Sequence, residues 1–373
     1  MKIIGILICL LLCSGCWDMK EINQLAIVNL GAADKDPETG RITAYYQVIN
    51  PSALTNKQSG AAKAAVYTFK FEDFSLGRFT RQTTTIMPRS LFMPHMQALI
   101  LSERYAKQGI TDMINFVELS PDRRTNVIFL IAGSPIETII NSFSPLERMP
   151  GRYIRSLINL SGQGFETGYE PIRIKDLAKG MYRKKPMVIP IVSYTSSEPA
   201  KDTNRLEDID IRKKTFLFVG GAVFRHGRMV GRLNFDEKQR YFLLNKNLTN
   251  YIETLTVNGD YVDVEASHIR VRRKFNASGL TYRIRATLRI VNNQQTTPVT
   301  RGNIRDIEDK FNRQFEAESQ AFVRMAANKD WDLLGIQDRG IRDWKHVKVT
   351  FKVESDMSAI GNTTGPHTFE RGN

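Results

Sequence analysis

The side chain with the clearest chemistry in this sequence is the thiol of Cys16. It closes the stretch MKIIGILICLLLCSGCWD, in which Lys2 is a short positive head and Ile3 to Leu12 form an apolar run broken only by Gly5. Ser14 and Gly15 then give a small-sided approach to the cysteine. A bilayer crossing needs about 20 apolar residues, so the run fits the core of a secretory signal instead, about 7–15 residues long. Ordinary signals are cut after an Ala-x-Ala-like site, whereas this one ends Ser-Gly-Cys. That ending is like a lipobox, in which the thiol takes a diacylglyceryl group and cleavage leaves the cysteine as the new N-terminus. Cys13 stands where a lipobox usually has leucine, with Leu11 and Leu12 just upstream. A plain signal followed by a free cysteine is the alternative; the expectation adopted is that Cys16 is a lipid attachment point.

Other chemistry is sparse. Cys9 and Cys13 would leave with the signal, so the mature chain is expected to hold no free thiol and no disulfide. His95, His226, His268, His346 and His367 show no HExxH and no metal-ligand spacing. No GxSxG and no Walker loop is present. Ser161–Gly168 (SGQGFETG) follows a helical stretch and lacks GxGxxG spacing, so the dinucleotide context fails. Acidic pairs such as Glu72-Asp73 and Asp208/Asp210 have no matching partner. No catalytic residue, metal or cofactor is expected, and the chain reads as non-enzymatic.

Charge supplies the remaining candidate. Lys and Arg number 53 against 39 Asp and Glu, a formal net charge of +14. Such a balance points to an anionic partner, and export directs it to lipid headgroups, wall polymers or acidic proteins, not nucleic acid. Two long strands, His268–Phe275 and Tyr282–Val291, carry Arg270, Arg272 and Lys274 on one and Arg283, Arg285 and Arg289 on the other. No Asp or Glu lies between Glu265 and Asp306, so these six cations form a candidate basic face for an anionic partner. A merely solvated face is the plainer reading.

The elements that would position these groups follow from periodicity. Leu25–Val28 is a buried strand, ADKDPETG turns it, and Arg41–Ile49 returns. Val66–Phe74, Gln97–Leu101, Val127–Ala132 and Met187–Val192 are further strands, the last placed at an edge by Pro190. Ser102, Thr111 and Ser134 read as helix caps, the first helix stopping at Gly109. Arg123 and Arg124 precede a strand and read as solvated. Asp236 and Gln239 have capping-box spacing. Ile304, Ile307, Phe311, Phe315, Phe322 and Met325 mark the longest helix, starting at Asn303, and Val347–Val353 closes the fold.

Several of these segments together resemble one family. The Cys-Trp-Asp opening with Glu21-Ile22 and Leu25-Ala26-Ile27-Val28 resembles the start of the C subunits of GerA-type spore germinant receptors. Ala98–Ile140, Val219–Phe224 with Gly231-Arg232-Leu233, and the order long helix, Asp332-x-x-Gly335, Trp344, strand are similar to the same family. The resemblance implies an α+β lipoprotein of three domains, with mixed and antiparallel sheets, packed helices, and a C-terminal domain setting a long helix against an antiparallel sheet. Composition and patterning divide the chain into a signal at 1–15, an N-terminal region of two subdomains at 16–200, a linker at 201–214, a C-terminal domain at 215–360 and a disordered tail at 361–373. The resemblance implies a non-catalytic receptor subunit on the outer face of the inner spore membrane, partnered by the integral membrane A and B subunits and, through Cys16, by membrane lipid. A direct small-molecule ligand is not specified. The alternative is a substrate-binding lipoprotein of a membrane importer, disfavoured by the adjacent antiparallel strands of the C-terminal half.

Overall fold

The structure, a computed structural model, describes residues 21–359 apart from 52, 54–63, 121, 145, 163–168, 183–185, 200–212, 247–249, 277–278 and 296–300. Cys16, the signal, the tail from 361 and most of the expected linker therefore lie outside the described residues. In chain order the first half runs β1 (Leu25–Lys35), β2 (Ile42–Ile49), β3 (Val66–Asp73), α1 (Phe79–Ile86), β4 (Ser90–Phe92), β5 (Ala98–Ser102), α2 (Glu103–Gln108) and α3 (Thr111–Glu118). It continues with β6 (Ile128–Ala132), α4 (Ile136–Ile140), α5 (Pro150–Gly162), α6 (Ile174–Tyr182) and β7 (Met187–Tyr194). The second half runs β8 (Phe216–Arg225), β9 (Arg228–Leu233), α7 (Phe235–Lys246), β10 (Asn250–Val257), β11 (Asp260–Asn276), β12 (Gly279–Asn293), α8 (Arg301–Asn328) and β13 (Val349–Ala359).

β1, β5, β6 and β7 are parallel neighbours at the centre of a nine-stranded sheet ordered β3-β2-β1-β5-β6-β7-β8-β9, with β4 also paired to β1. Parallel strands are covered on both faces, which is why β5 and β6 read as unbroken apolar runs; every residue of β6 is buried. One face packs Phe79 of α1, Tyr105 of α2, Met113 and Val117 of α3 and Leu177 of α6. Ile139 of α4 and Ile154 and Ile158 of α5 cover the other. A bulge at Asn29 changes the phase of β1, so that Ala26 and Val28 face the first layer but Leu30 and Ala32 the second. Buried Asn29 is satisfied across the sheet, its Nδ2 donating to Gln47 Oε1 at 3.0 Å.

Local signals held where no tertiary partner competed. Ser102 caps α2 as expected, its hydroxyl accepting from the Tyr105 amide at 3.0 Å. Three other expectations are corrected. Ile110, not Thr111, occupies the cap position of α3, fixed by its amide donating to Gly227 O at 2.9 Å. Pro135 sits at the start of α4, because the Ser134 hydroxyl accepts the Tyr194 amide on β7 at 3.0 Å instead of turning back on its own helix. The capping box of α7 is Asn234 with Glu237, their side chains and amides exchanging bonds of 2.8 and 2.9 Å. Pro190 is also not at an edge: β7 lies between β6 and β8. Its missing N–H is tolerated because pairing with β6 begins one residue later, at Ile191.

The second sheet, ordered β10-β11-β12-β13, is antiparallel through β12, and β13 returns parallel to β12 after the α8 crossover. Ile307, Phe311, Phe315 and Phe322 of α8 pack on it, as their spacing predicts. The same helix guards the sheet edge: Glu316 and Glu308 accept the Val353 and Met357 amides of β13 at 3.0 and 2.6 Å.

β8 and β9, within the expected C-terminal domain, complete the first sheet, so the change of sheet falls between β9 and β10. A shared core crosses that seam, with Val188, Val223 and Leu233 packed among residues of the second sheet and α8. Gly231 lets the Trp331 ring close over β9; a Cβ there would stand 2.3 Å from the ring. Arg225 adds a 2.7 Å bond to Asp330. Gly231→Ala is expected to force that ring aside and destabilise the protein by about 1–3 kcal/mol, read as a lowered denaturant midpoint with unchanged slope.

Candidate functional site

The six cations expected to share a face do so, and a second bulge is what puts them there. His268, with φ 51°, interrupts the β11–β12 register between Ser267 and Arg270. Before it Val262, Val264 and Ala266 point into the core; after it Ile269 does, and Arg270, Arg272 and Lys274 are exposed. Arg270 lies opposite Arg285, Arg272 opposite Arg283, and Lys274 opposite Thr281.

Two of the six are compensated. Arg289 bonds Glu265 at 2.9 Å and holds that carboxyl below the usual carboxylate range. Arg285 bonds Glu354 of β13, also at 2.9 Å. The same strand adds Lys352 opposite Arg283. What remains is a basic end of the sheet made of Arg270, Arg272, Lys274, Arg283 and Lys352, none with an acidic partner among the described residues. Like charges facing each other across strands are destabilising, so this end carries that penalty where Arg283 faces Arg272 on one side and Lys352 on the other. Sequence reasoning missed Lys352 and Glu354 because they arrive on a strand some 70 residues downstream; the alternation Lys352-x-Glu354 was the available signal.

Two further groups have the burial that catalysis often exploits. Lys238 of α7 is buried among the rings of Tyr169, Phe235 and Phe242, with its Nζ over Tyr169. Burial pushes it from the ordinary lysine value of 10.5 down to about 6. On α7, too, Arg240 lines a cleft of about 470 Å³ between α7, β10 and α8. Its guanidinium bonds Glu318, lies 3.8 Å from Glu253 and stacks on Phe315. Burial, and then the charge of Glu318, keep the Glu253 carboxyl above its ordinary range, while Gln314 donates to it at 2.8 Å. These polar atoms join three elements to one another. Among the described residues no group of three His, Cys, Asp or Glu side chains is placed to hold a metal ion, and no helix is long and apolar enough to cross a membrane.

The sequence comparisons match this architecture. The profile described as Spore germination protein N-terminal domain matches residues 18–194, and that described as Spore germination B3/GerAC like, C-terminal, matches residues 219–361. YfkR of Bacillus subtilis (strain 168), named as a spore germination protein, is 23% identical over 362 residues, 94% of this chain and 90% of that protein. Spore germination protein KC of the same organism is 22% identical over 152 residues, covering 39% of this chain and 37% of that one. The crystal structure of the GerBC protein shares the fold, with a TM-score of 0.53 at 12% identity over 92% of this chain and 100% of that one.

Lys238 supplies a pH prediction. An unfolded lysine protonates below about 10.5, whereas the buried one protonates only near 6. Stability attributable to Lys238 therefore falls as pH drops from about 10.5 to about 6 and is level below that. Lys238→Met is expected to flatten this dependence, measured by denaturant unfolding across that range.

Proposed function

The chain belongs to the GerAC-like family of germinant receptor C subunits, and from that membership we propose that it is the lipid-anchored, non-catalytic subunit of a spore germinant receptor. In this reading Cys16 carries the lipid and the folded body sits on the outer face of the inner spore membrane. There it assembles with the integral membrane A and B subunits and passes on the nutrient signal that starts germination. The observation that carries the reading is where the family match begins: residue 18, two residues after Cys16, with a second match running to residue 361. A signal ending in cysteine just ahead of the family-matched body is the arrangement that acylation of a new N-terminus requires.

The geometry supports a binding role over a catalytic one. The buried lysine is enclosed by rings, and the Arg240 cleft uses its polar atoms to join α7, β10 and α8. The basic end of the second sheet is the surface suited to a partner, because an acidic protein surface would offset the repulsion between facing arginines. That partner is taken to be an acidic face of the A or B subunit.

Spores carrying Cys16→Ser are expected to lose the chain from the membrane fraction and to lose response to the nutrient. Arg270→Glu, Arg272→Glu and Arg283→Glu together should leave the chain on the membrane yet abolish its recovery with the A and B subunits. Normal nutrient germination with the serine variant found only in the soluble fraction contradicts the anchoring. Unchanged co-purification of the triple variant leaves that face merely solvated.

A further inference from the structure

One end of the first sheet has a composition that neither its core nor the basic end explains. Where β1 begins, a cleft of about 290 Å³ opens between Leu25 of β1, Thr83 and Thr84 of α1, Leu91 of β4, and Phe116 and Arg123 around the end of α3. Three large apolar side chains on the segments that form it are uncovered: Ile22 is 76% exposed, Ile86 at the end of α1 61%, and Leu119 just past α3 84%. Arg89 and Arg124 are exposed on the same segments, neither with an acidic partner among the described residues, and Glu21, Glu118 and Asp122 are exposed beside them. Arg123 folds back instead, lying over the Phe116 ring and bonding the Phe116 carbonyl.

A single exposed leucine is ordinary. Apolar tips flanked by charged side chains of both signs at one end of a sheet make an amphiphilic surface of the kind that lies in the headgroup layer of a bilayer. Each cation near an anionic leaflet contributes about 1 kcal/mol there. The chain length ahead of the sheet selects the same end. Cys16 precedes Ile22 by six residues, which at no more than ~3.6 Å each reach about 21 Å. β1 is 11 residues long, so its far end lies about 33 Å further on. That far end is marked by Phe74, after β3, whose ring carries Arg41.

We propose that the end of the first sheet bearing Ile22, Ile86, Leu119, Arg89 and Arg124 rests on an anionic phospholipid surface. The inference builds on acylation of Cys16: the tether brings this end to the bilayer, and the exposed side chains fix how the body stands on it. Apolar tips enter the headgroup layer and the two arginines meet lipid phosphates. The basic end of the second sheet is then left for a protein partner.

The mature lipidated chain offers no other free thiol, so Ile86→Cys, Leu119→Cys and Phe74→Cys each accept one environment-sensitive fluorophore. The labelled chains are reconstituted on vesicles of phosphatidylglycerol and phosphatidylcholine containing lipids brominated on the acyl chain. Probes at 86 and 119 are expected to be quenched several-fold more than the probe at 74. Arg89→Glu with Arg124→Glu, or phosphatidylcholine alone, should lower quenching at 86 and 119 to the level at 74. A chain that floats with the vesicles while all three probes stay in water overturns this inference and leaves the anchoring intact. A chain that does not float overturns both. Hydrogen exchange on the unsubstituted lipidated chain gives a second reading. Slowed exchange around Ile86 and Leu119 on anionic vesicles supports the proposal. Protection seen there only with the receptor partners, and not on vesicles, assigns the face to a protein and overturns it.

Discussion

The antiparallel pairing of β7 with β8 is the constraint on which the rest of the molecule depends. It runs from Met187 opposite Phe224 to Tyr194 opposite Phe216 and joins the two family segments through one continuous sheet. Gly221 allows the close approach, since a Cβ there would stand 2.4 Å from the Val188 side chain. Around that joint the core mixes residues of both halves, and Trp331 and Arg225 tie the end of α8 back to the β8–β9 hairpin. With the halves fused, orientation becomes a property of the whole body: a tether proposed at the start of β1 would also fix where the second sheet presents its basic end.

The sequence revealed the parts of this fold whose pattern is set locally. Continuous apolar runs identified β5 and β6, and the phenylalanine spacing identified α8, because burial on two faces or on one helical stripe leaves a direct periodic trace. What it hid was set at long range. The bulges at Asn29 and His268 each shift a strand by one position, and a period-two reading continues through them in the wrong phase. Ser134 carries a capping residue's chemistry but gives its hydroxyl to β7. β10 was missed because Glu253 occupies a core-facing slot between Tyr251 and Leu255, and α6 because Gly180 weakens its helical pattern.

The candidate site shows the same division. The cations of β11 and β12 were visible as a count and an alternation, and the structure does place them on one exposed face. Which of them are neutralised was not visible, because Glu354 and Lys352 belong to β13, brought alongside only by the α8 crossover. Compensation within a sheet depends on strand order, and strand order is a tertiary fact. The N-terminal chemistry is the opposite case. A lipobox-like ending is a local sequence pattern, so the expectation of a signal up to Cys16 rests on no fold, and those residues lie outside the described ones.

The proposed anchoring, and with it the orientation of the body, turns on the state of that cysteine in the native protein. Intact-mass and N-terminal peptide analysis of the chain extracted from spore membranes measures it directly. The predicted result is a chain beginning at Cys16 with a diacylglyceryl thioether on its sulfur. A retained leader, or a mature N-terminus with a free Cys16 thiol, would contradict it.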